Sequence, residues 1–284
     1  MNAIAAQSPR RRLLQKFMRH RLGVTGLAIL AIYLAVALLA PWIAPFDPDD
    51  VNLRNVAKGP SAVHWLGTDQ FGRDILTRVM IGAQTSLLLG ACVVVIATGF
   101  GLLLGVPAGY FRGWVERVIM FCTDVLMTMP SIITALAVIT VLGPGLVSTI
   151  FAIAIAAAPR LVRVARSAVL QVRELDYIDN ARTLGAGNAW IMARHVLPNS
   201  LAPIIVQSSL LMAETVLVAA GLGFLGLGVP PPTAEWGQML AEGRGHLRAA
   251  PFISIFPGLA IAFLVLGFNL LGDGLRDTLD VRTR

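Results

Sequence analysis

The chain has 284 residues, of which 56% are hydrophobic and only 14% are charged, and its mean hydropathy is +0.73. This composition is typical of a polytopic membrane protein, because a soluble core of this size carries more charge. The net charge of +7 does not indicate nucleic-acid binding, which needs a folded basic domain. Cys92 and Cys122 lie in apolar runs, which favours buried thiols over a disulfide, a metal site or a nucleophile. The four histidines are not at metal-ligand spacing.

Apolar segments predict six membrane-spanning helices, since about 20 residues of helix cross a bilayer. The first segment follows the basic residues of 1–21 and is longer than a signal-peptide core, so we interpret it as a retained anchor. A Leu-Gly-Pro-Gly turn at 142–145 divides one long apolar run into the third and fourth spans. The predicted spans are 22–44, 81–111, 118–141, 146–158, 200–232 and 249–272.

The second span contains a repeated glycine spacing, with Gly101, Gly105 and Gly109 four residues apart. Small residues at this spacing let a second helix approach closely in lipid. Pro107 interrupts the pattern and predicts regular helix only in its first half.

Basic residues give the orientation, because cytoplasmic segments collect Lys and Arg. Most of the 23 lysines and arginines fall on the side of the membrane that holds the N-terminus, if every span crosses. The sequence therefore predicts that 1–21, the polar stretch 176–198 and the C-terminal 276–284 face the cytoplasm. Segments 45–80 and 229–248 then lie outside.

The polar stretch 176–198, here called the elbow, predicts two short amphipathic helices that meet at a glycine corner. Asp176 is the expected cap of its first helix, and Asp179 adds a second acid where the helix dipole favours negative charge. Gly185 or Gly187 supplies the left-handed turn that ends this helix.

The second helix of the elbow is expected to begin with Asn188 as its cap and to stop at Pro198. Each elbow helix has apolar residues at spacings of three and four, so each has one apolar and one polar face.

The two outer segments also carry predicted structure. In 45–80, Thr68 or Asp69 is expected to cap a short turn. Ile75, Val79 and Met80 are expected to form an apolar stripe along the membrane interface. In 229–248, Trp236, Met239 and Leu240 share one face of a short capped helix. Two interpretations stay open for both segments: interfacial packing with an aromatic anchor, or contact with a substrate or partner.

The elbow resembles the cytoplasmic loop of permease subunits of bacterial ABC importers. The family pattern reads Glu-Ala-Ala, three residues, Gly, nine residues, Ile, any residue and Leu-Pro. Aspartate, asparagine and histidine here replace the glutamate, the first alanine and the isoleucine. The positions that the pattern falls on are Asp179, Asn180, Ala181, Gly185, His195, Leu197 and Pro198.

Further motifs resemble the dipeptide, oligopeptide and nickel branch of this family, and specifically the second of its two permease subunits. The likeness extends over nearly the whole chain. The motifs are Leu66-Gly67-Thr68-Asp69 with Gly72-Arg73-Asp74, the run Gly223-Phe224-Leu225-Gly226-Leu227-Gly228, and Pro231-Pro232 with Glu235-Trp236-Gly237.

The resemblance implies an all-α polytopic protein with six transmembrane helices, a cytoplasmic coupling loop at 176–198 and the fold of a type I ABC importer transmembrane domain over 81–275. It implies the bacterial inner membrane, a homologous permease as heterodimer partner, two ABC ATPase subunits and an extracytoplasmic substrate-binding protein. Short peptides are the implied cargo, with nickel chelates or glutathione as alternatives. ATP and Mg²⁺ belong to the ATPases, since Lys16 and Lys58 do not stand in a Gly-Lys-Ser/Thr phosphate cradle.

Two acids lie inside apolar spans, Asp124 in the third and Glu214 in the fifth. An intramembrane carboxylate is a functional candidate, because burying it is costly unless it is paired or hydrated. A role in the translocation pathway and a hydrogen-bonded helix contact both remain open.

Arg160, Arg163 and Arg166 follow the fourth span. We expect them to orient this span by extending to the interface, with contacts to the elbow or to anionic lipid as the second interpretation.

Other classes of membrane protein have weaker support from the sequence. An ion-coupled secondary transporter has an inverted repeat and clustered midplane charges. A channel has a filter or a ring of charge, and a membrane enzyme has convergent catalytic groups. None of these patterns is visible in the sequence.

Overall fold

The computed structural model describes residues 9–279, and over this part of the chain it consists of helices joined by turns and loops. Residues 1–8 of the basic N-terminal segment and 280–284 of the C-terminal segment lie outside the described residues. Short 3₁₀ turns occur at Leu53–Asn55 and Arg244–His246. The α-helices are α1 Pro9–Arg19, α2 Arg21–Ile43, α3 Ile75–Phe111, α4 Gly113–Met127, α5 Ser131–Leu142, α6 Leu146–Arg173, α7 Asp176–Thr183, α8 Asn188–Ile191, α9 Leu197–Phe224, α10 Trp236–Gly243 and α11 Phe252–Leu279.

Five helical stretches in the described chain are long and apolar enough to cross a membrane, and a sixth candidate is the pair α4 and α5. The two helices of this pair meet at an angle of 89°, so the predicted third span is broken near its middle. Pro130 explains the break, because proline lacks an N–H group and disfavours helical backbone in the residue before it. The all-helical membrane fold itself is confirmed.

Three predicted span ends are also corrected. Helix α3 begins six residues before the predicted start at 81, because the Asp74 carboxylate accepts a hydrogen bond from the Thr77 N–H at 2.8 Å. Asp74 is therefore the cap of α3. Of the two residues predicted to cap the short turn before it, Asp69 does so, because its carboxylate accepts hydrogen bonds from the Phe71 N–H at 2.8 Å and the Arg73 N–H at 3.0 Å. Helix α6 continues through the predicted end at 158 to Arg173, and α9 ends at Phe224 instead of 232.

The contact between α3 and α6 is the most extensive between any two helices of the described chain. A Cβ atom added at Gly101 would lie 2.6 Å from the Leu161 Cβ, and one at Gly105 would lie 2.6 Å from the Ala165 Cβ. One added at Gly109 would lie 2.8 Å from a backbone oxygen of α6. All three glycines face α6, so the expectation that Pro107 limits the pattern to its first half is wrong. Transmembrane helices accommodate a proline when neighbouring groups satisfy the backbone.

Helices α2 and α11 form a second close crossing. A Cβ atom at Gly26 would lie 2.7 Å from the carbonyl oxygen of Gly267. Helix α1 is tied to the same end of α11, because the Lys16 ammonium donates to the Thr278 carbonyl at 3.1 Å and His20 Nε2 lies 3.0 Å from an Asp277 oxygen. The first span and the last are thus held together at one end of the bundle.

The segment that carries the Gly-Thr-Asp motif is fixed by a buried network of charges. Asp69 accepts a hydrogen bond from Arg73 at 2.6 Å, and Arg73 also donates to Glu242 at 2.6 Å. Arg78, whose side chain is fully buried, lies 3.6 Å from Asp69 and donates to the Pro48 carbonyl at 2.9 Å. These charges join the loop before α3 to α3 and α10. The polar side chains of this motif are therefore buried within the chain.

Helix α10 confirms the predicted short capped helix, but its tryptophan is not an interface anchor. The Glu235 carboxylate caps α10 by accepting from the N–H groups of Gly237 and Gln238, each at 2.9 Å. Burial raises the pKa of Glu235, and these two hydrogen bonds oppose the shift. Trp236 is buried, donates to the Val79 carbonyl at 3.0 Å and meets the Tyr33 ring edge on.

The cysteine prediction is half correct. Both thiols are free, but only Cys92 is partly buried, whereas Cys122 is exposed on α4. The reason is that α4 packs little against the rest of this chain: Thr123 is its one buried residue.

The α3–α6 crossing yields a test with a matched control in the same helix. We expect Gly105→Ala to destabilise the protein by about 1–3 kcal/mol, because the added methyl overlaps α6 in a packed contact. Gly99→Ala is the control, since a Cβ atom there meets nothing within 4 Å. Thermal unfolding in detergent measures both. Equal midpoints for the two variants would contradict the close crossing.

Candidate functional site

The first helix of the elbow, α7, ends in a hydrogen-bonded glycine corner. The Ala186 N–H donates to the Ala181 carbonyl at 3.1 Å, and the Gly185 N–H donates to the Arg182 carbonyl at 2.9 Å. This pair of hydrogen bonds defines a Schellman motif, which requires a left-handed residue at its centre. Gly185 has a φ of +84°, whereas Gly187 has a φ of −69°. Of the two predicted candidates, Gly185 is therefore the corner.

Both predicted capping residues of the elbow have other positions. Asp176 lies inside the first turn of α7, and Leu175 occupies the cap position without a side-chain hydrogen bond. Asp176 and Asp179 thus both complement the positive end of the helix. Asn188 lies inside α8, and its side-chain oxygen accepts a hydrogen bond from the Tyr110 hydroxyl at 2.9 Å. Asn188 therefore holds the elbow to α3 instead of capping a helix.

Pro198 does not end the second elbow helix, contrary to the prediction. Helix α8 continues through a π-helical turn at Met192–Val196 into α9, which gives one helical stretch from Asn188 to Phe224. In this turn the Leu197 N–H donates to the Met192 carbonyl, five residues earlier. The wider turn accommodates the proline, which crowds the carbonyl four residues before it in a regular α-helix. The elbow is thus continuous with a candidate membrane span.

A buried apolar cluster fixes the inner side of the elbow to the ends of α3 and α6. Arg173 of α6 donates to the Tyr110 carbonyl, and the Arg182 guanidinium lies 5.4 Å from the centre of the Tyr110 ring. Ala181 and Leu197 pack against the cluster as partly buried residues. Its buried members are Val106, Tyr110, Val169, Val172, Ile178, Ile191 and Val196.

The outer side of the elbow presents apolar and aromatic side chains. Leu184 is 87% exposed and Trp190 is 53% exposed. The His195 ring centre lies 4.8 Å from that of Trp190 and 6.0 Å from that of Tyr177. The histidine that replaces the family's isoleucine is therefore part of an aromatic group on this surface.

The remaining elbow positions of the family pattern are polar or turn residues on the surface. Asp179 and Asn180 are both exposed, and an Asp179 oxygen lies 2.8 Å from Arg182. Pro198 is exposed in the first turn of α9. The elbow is thus a rigid projection whose outer surface combines apolar side chains with a small number of charges.

Three arginines of α6 each pair with a carboxylate of a neighbouring helix, which sequence reasoning did not anticipate. The expectation that they orient the span by extending to the interface is therefore incomplete. The available signal was that three acids, two within the predicted spans and one just before the third span, could match the three arginines in number. The pairs are Arg160 with Glu214 of α9, Arg163 with Asp124 of α4 at 2.7 Å, and Arg166 with Glu116 of α4, whose oxygen lies 2.7 Å from Nε.

Two of these pairs are exposed, and Glu214 lies far from both ends of its helix. Arg160 and Arg163 are each about half exposed, and the Asp124 side chain is 58% exposed. Glu214 lies ten residues before the end of α9, or about 15 Å along the helix, which is half the thickness of a hydrocarbon core of about 30 Å. Paired charges at this depth face protein or water rather than lipid.

A bundle of five or six candidate membrane spans with a rigid two-helix projection at one end has the architecture of a solute permease. The chain belongs to the family of binding-protein-dependent transport system inner membrane components, whose model matches residues 101–284. Residues 8–60 match the N-terminal TM domain of oligopeptide transport permease C. It is therefore a multi-pass permease subunit of an ABC importer.

Curated relatives match almost the full length of the chain. It is 43% identical to the dipeptide transport system permease protein DppC of Alkalihalophilus pseudofirmus, over 98% of this chain and 92% of that protein. It is 40% identical to the glutathione transport system permease protein GsiD of Pectobacterium atrosepticum, over 99% of this chain and 93% of that protein.

Solved structures show the same fold at low sequence identity. An inward-facing structure of the MetNI methionine ABC transporter matches with a TM-score of 0.57 at 18% identity, over 72% of this chain and 98% of that chain. An amino acid ABC transporter crystallised with histidines matches with a TM-score of 0.56 at 16% identity, over 71% and 94%. The fold is that of a type I ABC importer transmembrane domain.

Proposed function

We propose that this chain forms half of the translocation pathway of an ATP-driven importer of dipeptides and oligopeptides. A homologous permease supplies the other half, and two ABC ATPase subunits supply the energy. The observation that carries the proposal is the elbow, whose inner side is fixed to α3 and α6 while its outer side presents Leu184 and Trp190. An exposed apolar surface whose opposite side is packed against other helices is suited to docking in a groove of another protein.

The division of labour follows from what this chain can bind. ATP and Mg²⁺ need a glycine-rich phosphate cradle with a lysine, and neither Lys16 nor Lys58 stands in one. We assign both cofactors to the ATPase partners. The elbow residues Asp179, Asn180, Ala181, Gly185, His195, Leu197 and Pro198 form the coupling contact.

Movement of the elbow reaches the membrane through two continuous connections. The helical stretch from Asn188 to Phe224 is about 54 Å long at 1.5 Å per residue, so a small tilt at the elbow displaces its far end. The buried cluster around Ile178 carries the same movement to α3 and α6, which are locked together by their glycine crossing. ATP-driven displacement of the elbow thereby tilts the spans and alternates access to the pathway.

We place the two ends of the chain and the elbow in the cytoplasm and segments 45–80 and 229–248 in the periplasm. The bias of Lys and Arg supports this orientation in the inner membrane. Membrane lipid then surrounds the exposed apolar faces, such as that of Val95 on α3. The first periplasmic segment, rigidified by the buried charges around Arg73, offers a firm surface to a substrate-binding protein.

Asp124 and Glu214 line the pathway in this proposal, together with their arginine partners. Half-exposed ion pairs inside the membrane need an aqueous or protein surface, and the surface between two permease subunits provides it. Paired charges of both signs also suit a zwitterionic cargo. The relatives named for dipeptide and glutathione transport support a short peptide; glutathione or a nickel chelate is the alternative cargo.

Co-purification with uptake tests the proposed function. Extraction of the tagged chain in mild detergent is expected to recover a homologous permease and ATPase subunits, and deletion of the chain is expected to abolish ATP-dependent dipeptide uptake. Transport by the chain alone, driven by an ion gradient, would instead establish a secondary transporter.

The corner glycine gives a second prediction with an internal control. Valine at a left-handed position is strained by about 1–2 kcal/mol or more, so Gly185→Val is expected to lower uptake by about 5- to 30-fold while membrane insertion is retained. Gly187→Val is the control, because Gly187 has an extended conformation with free space around its Cβ direction. Radiolabelled dipeptide uptake, normalised to membrane protein, compares the two. Equal uptake would show that the corner is not needed for coupling.

Thiol labelling tests whether Asp124 faces an aqueous pathway. In a chain with both native cysteines replaced by alanine, Asp124→Cys is expected to react with a charged, water-soluble thiol reagent. Val95→Cys is the control, since Val95 is 71% exposed on α3 among apolar residues and charged reagents are excluded from hydrocarbon. Equal protection of both thiols in the assembled complex would remove Asp124 from the pathway.

A further inference from the structure

A polar cleft lies between α4 and α6 on the side that carries the exposed ion pairs. Its volume is about 690 Å³, which is within the range of small-molecule sites. The side chains that matter for its chemistry are Glu116, Arg117, Phe121, Asp124, Arg163 and Arg166.

The charges of this cleft do not balance. Three guanidinium groups face two carboxylates, and both carboxylates already pair with arginines of α6: Asp124 with Arg163, and Glu116 with Arg166. Among the residues that the structure describes, Arg117 has no carboxylate partner. The cleft therefore carries one uncompensated positive charge.

The position of Arg117 makes this charge available to a ligand. Arg117, Phe121 and Asp124 follow one another at helical spacing on the same face of α4, and all three are exposed. A guanidinium offers two parallel N–H groups to a carboxylate, while Phe121 supplies an apolar wall. Asp124 adds an acceptor for an ammonium group within the same cleft.

The location of the cleft indicates which ligand it meets. An uncompensated charge within a candidate span needs water or a counterion. Arg117 lies four residues into α4, or about 6 Å from its start, so in the proposed orientation it stands near the cytoplasmic exit. The counterion that passes there is the carboxylate of the transported solute.

We propose that the α4–α6 cleft is a binding site for the free carboxylate of the solute, with Arg117 as the group that binds it before release. This inference rests on the proposed function and adds a specificity: a solute with a free carboxylate is held, and its amide is not. Dipeptides and glutathione both satisfy this requirement.

Arginine protection tests the site directly. The complex of this chain with its co-purified partners is reconstituted in phosphatidylcholine nanodiscs and treated with phenylglyoxal, and mass spectrometry follows the modification of Arg117. Alanyl-alanine is expected to slow the modification at least about threefold, because a bound carboxylate occupies the guanidinium N–H groups. Alanyl-alanine amide is expected to have no effect. Arg276, an exposed arginine of α11, serves as the internal reference.

Three results would overturn the inference: no slowing by the dipeptide, equal slowing by the amide, or protection that appears in phosphatidylglycerol nanodiscs without dipeptide and is unchanged by it. The last result would assign the cleft to a lipid headgroup.

Uptake by the same complex separates this inference from the proposed function. Dipeptide uptake without protection of Arg117 refutes the cleft alone, whereas absence of uptake refutes the proposed function. Arg117→Gln is expected to lower uptake about fivefold or more at unchanged ATP turnover. Arg117→Lys is expected to lower it less, since lysine keeps the positive charge but not the two parallel N–H groups. Equal loss of uptake in both variants would point to a packing role for the arginine.

Discussion

The crossing of α3 and α6 is the contact on which the other features depend. Gly105 and its two neighbours in the glycine pattern bring the two backbones together, and van der Waals packing of this kind is a main source of helix association in lipid. The same two helices hold the elbow, since Tyr110 and Val169 belong to the cluster beneath it. The ion pairs to α4 and α9 also start from α6. In the proposed function, the α3–α6 pair therefore connects the elbow to the ion pairs of α4 and α9.

The ion pairs of this chain fall into two groups, one mostly buried and one exposed. The network around Arg73 and Arg78 is mostly buried, and it joins the loop before α3 to α10. Two of the three ion pairs of α6, Arg160 with Glu214 and Arg163 with Asp124, are by contrast about half exposed. We propose that the exposed ion pairs belong to the surface that a second permease completes, and that the exposed aromatic side chains of the elbow belong to the surface for an ATPase.

Much of the fold and part of the site were predictable from the sequence, because local rules govern them. Apolar length located five of the predicted spans and the bent α4–α5 pair as a sixth candidate, and local turn signals narrowed the corner to Gly185 or Gly187, of which the structure has Gly185. Rules that depend on tertiary structure failed. Pro198 is accommodated by a π-helical turn, Asn188 binds Tyr110 instead of capping, and the arginine partner of Asp124 comes from a helix 39 residues away. A single sequence does not reveal which helices become neighbours.

The side of the membrane on which the elbow lies is the central claim, and a single thiol at its most exposed position tests it. In a chain with both native cysteines replaced by alanine, Leu184→Cys is labelled with a membrane-impermeant maleimide, either in intact spheroplasts or in inside-out vesicles stripped of peripheral subunits. The account predicts labelling in the vesicles and none in the spheroplasts. Labelling of intact spheroplasts from the outside would contradict the cytoplasmic elbow and, with it, the coupling to an ATPase.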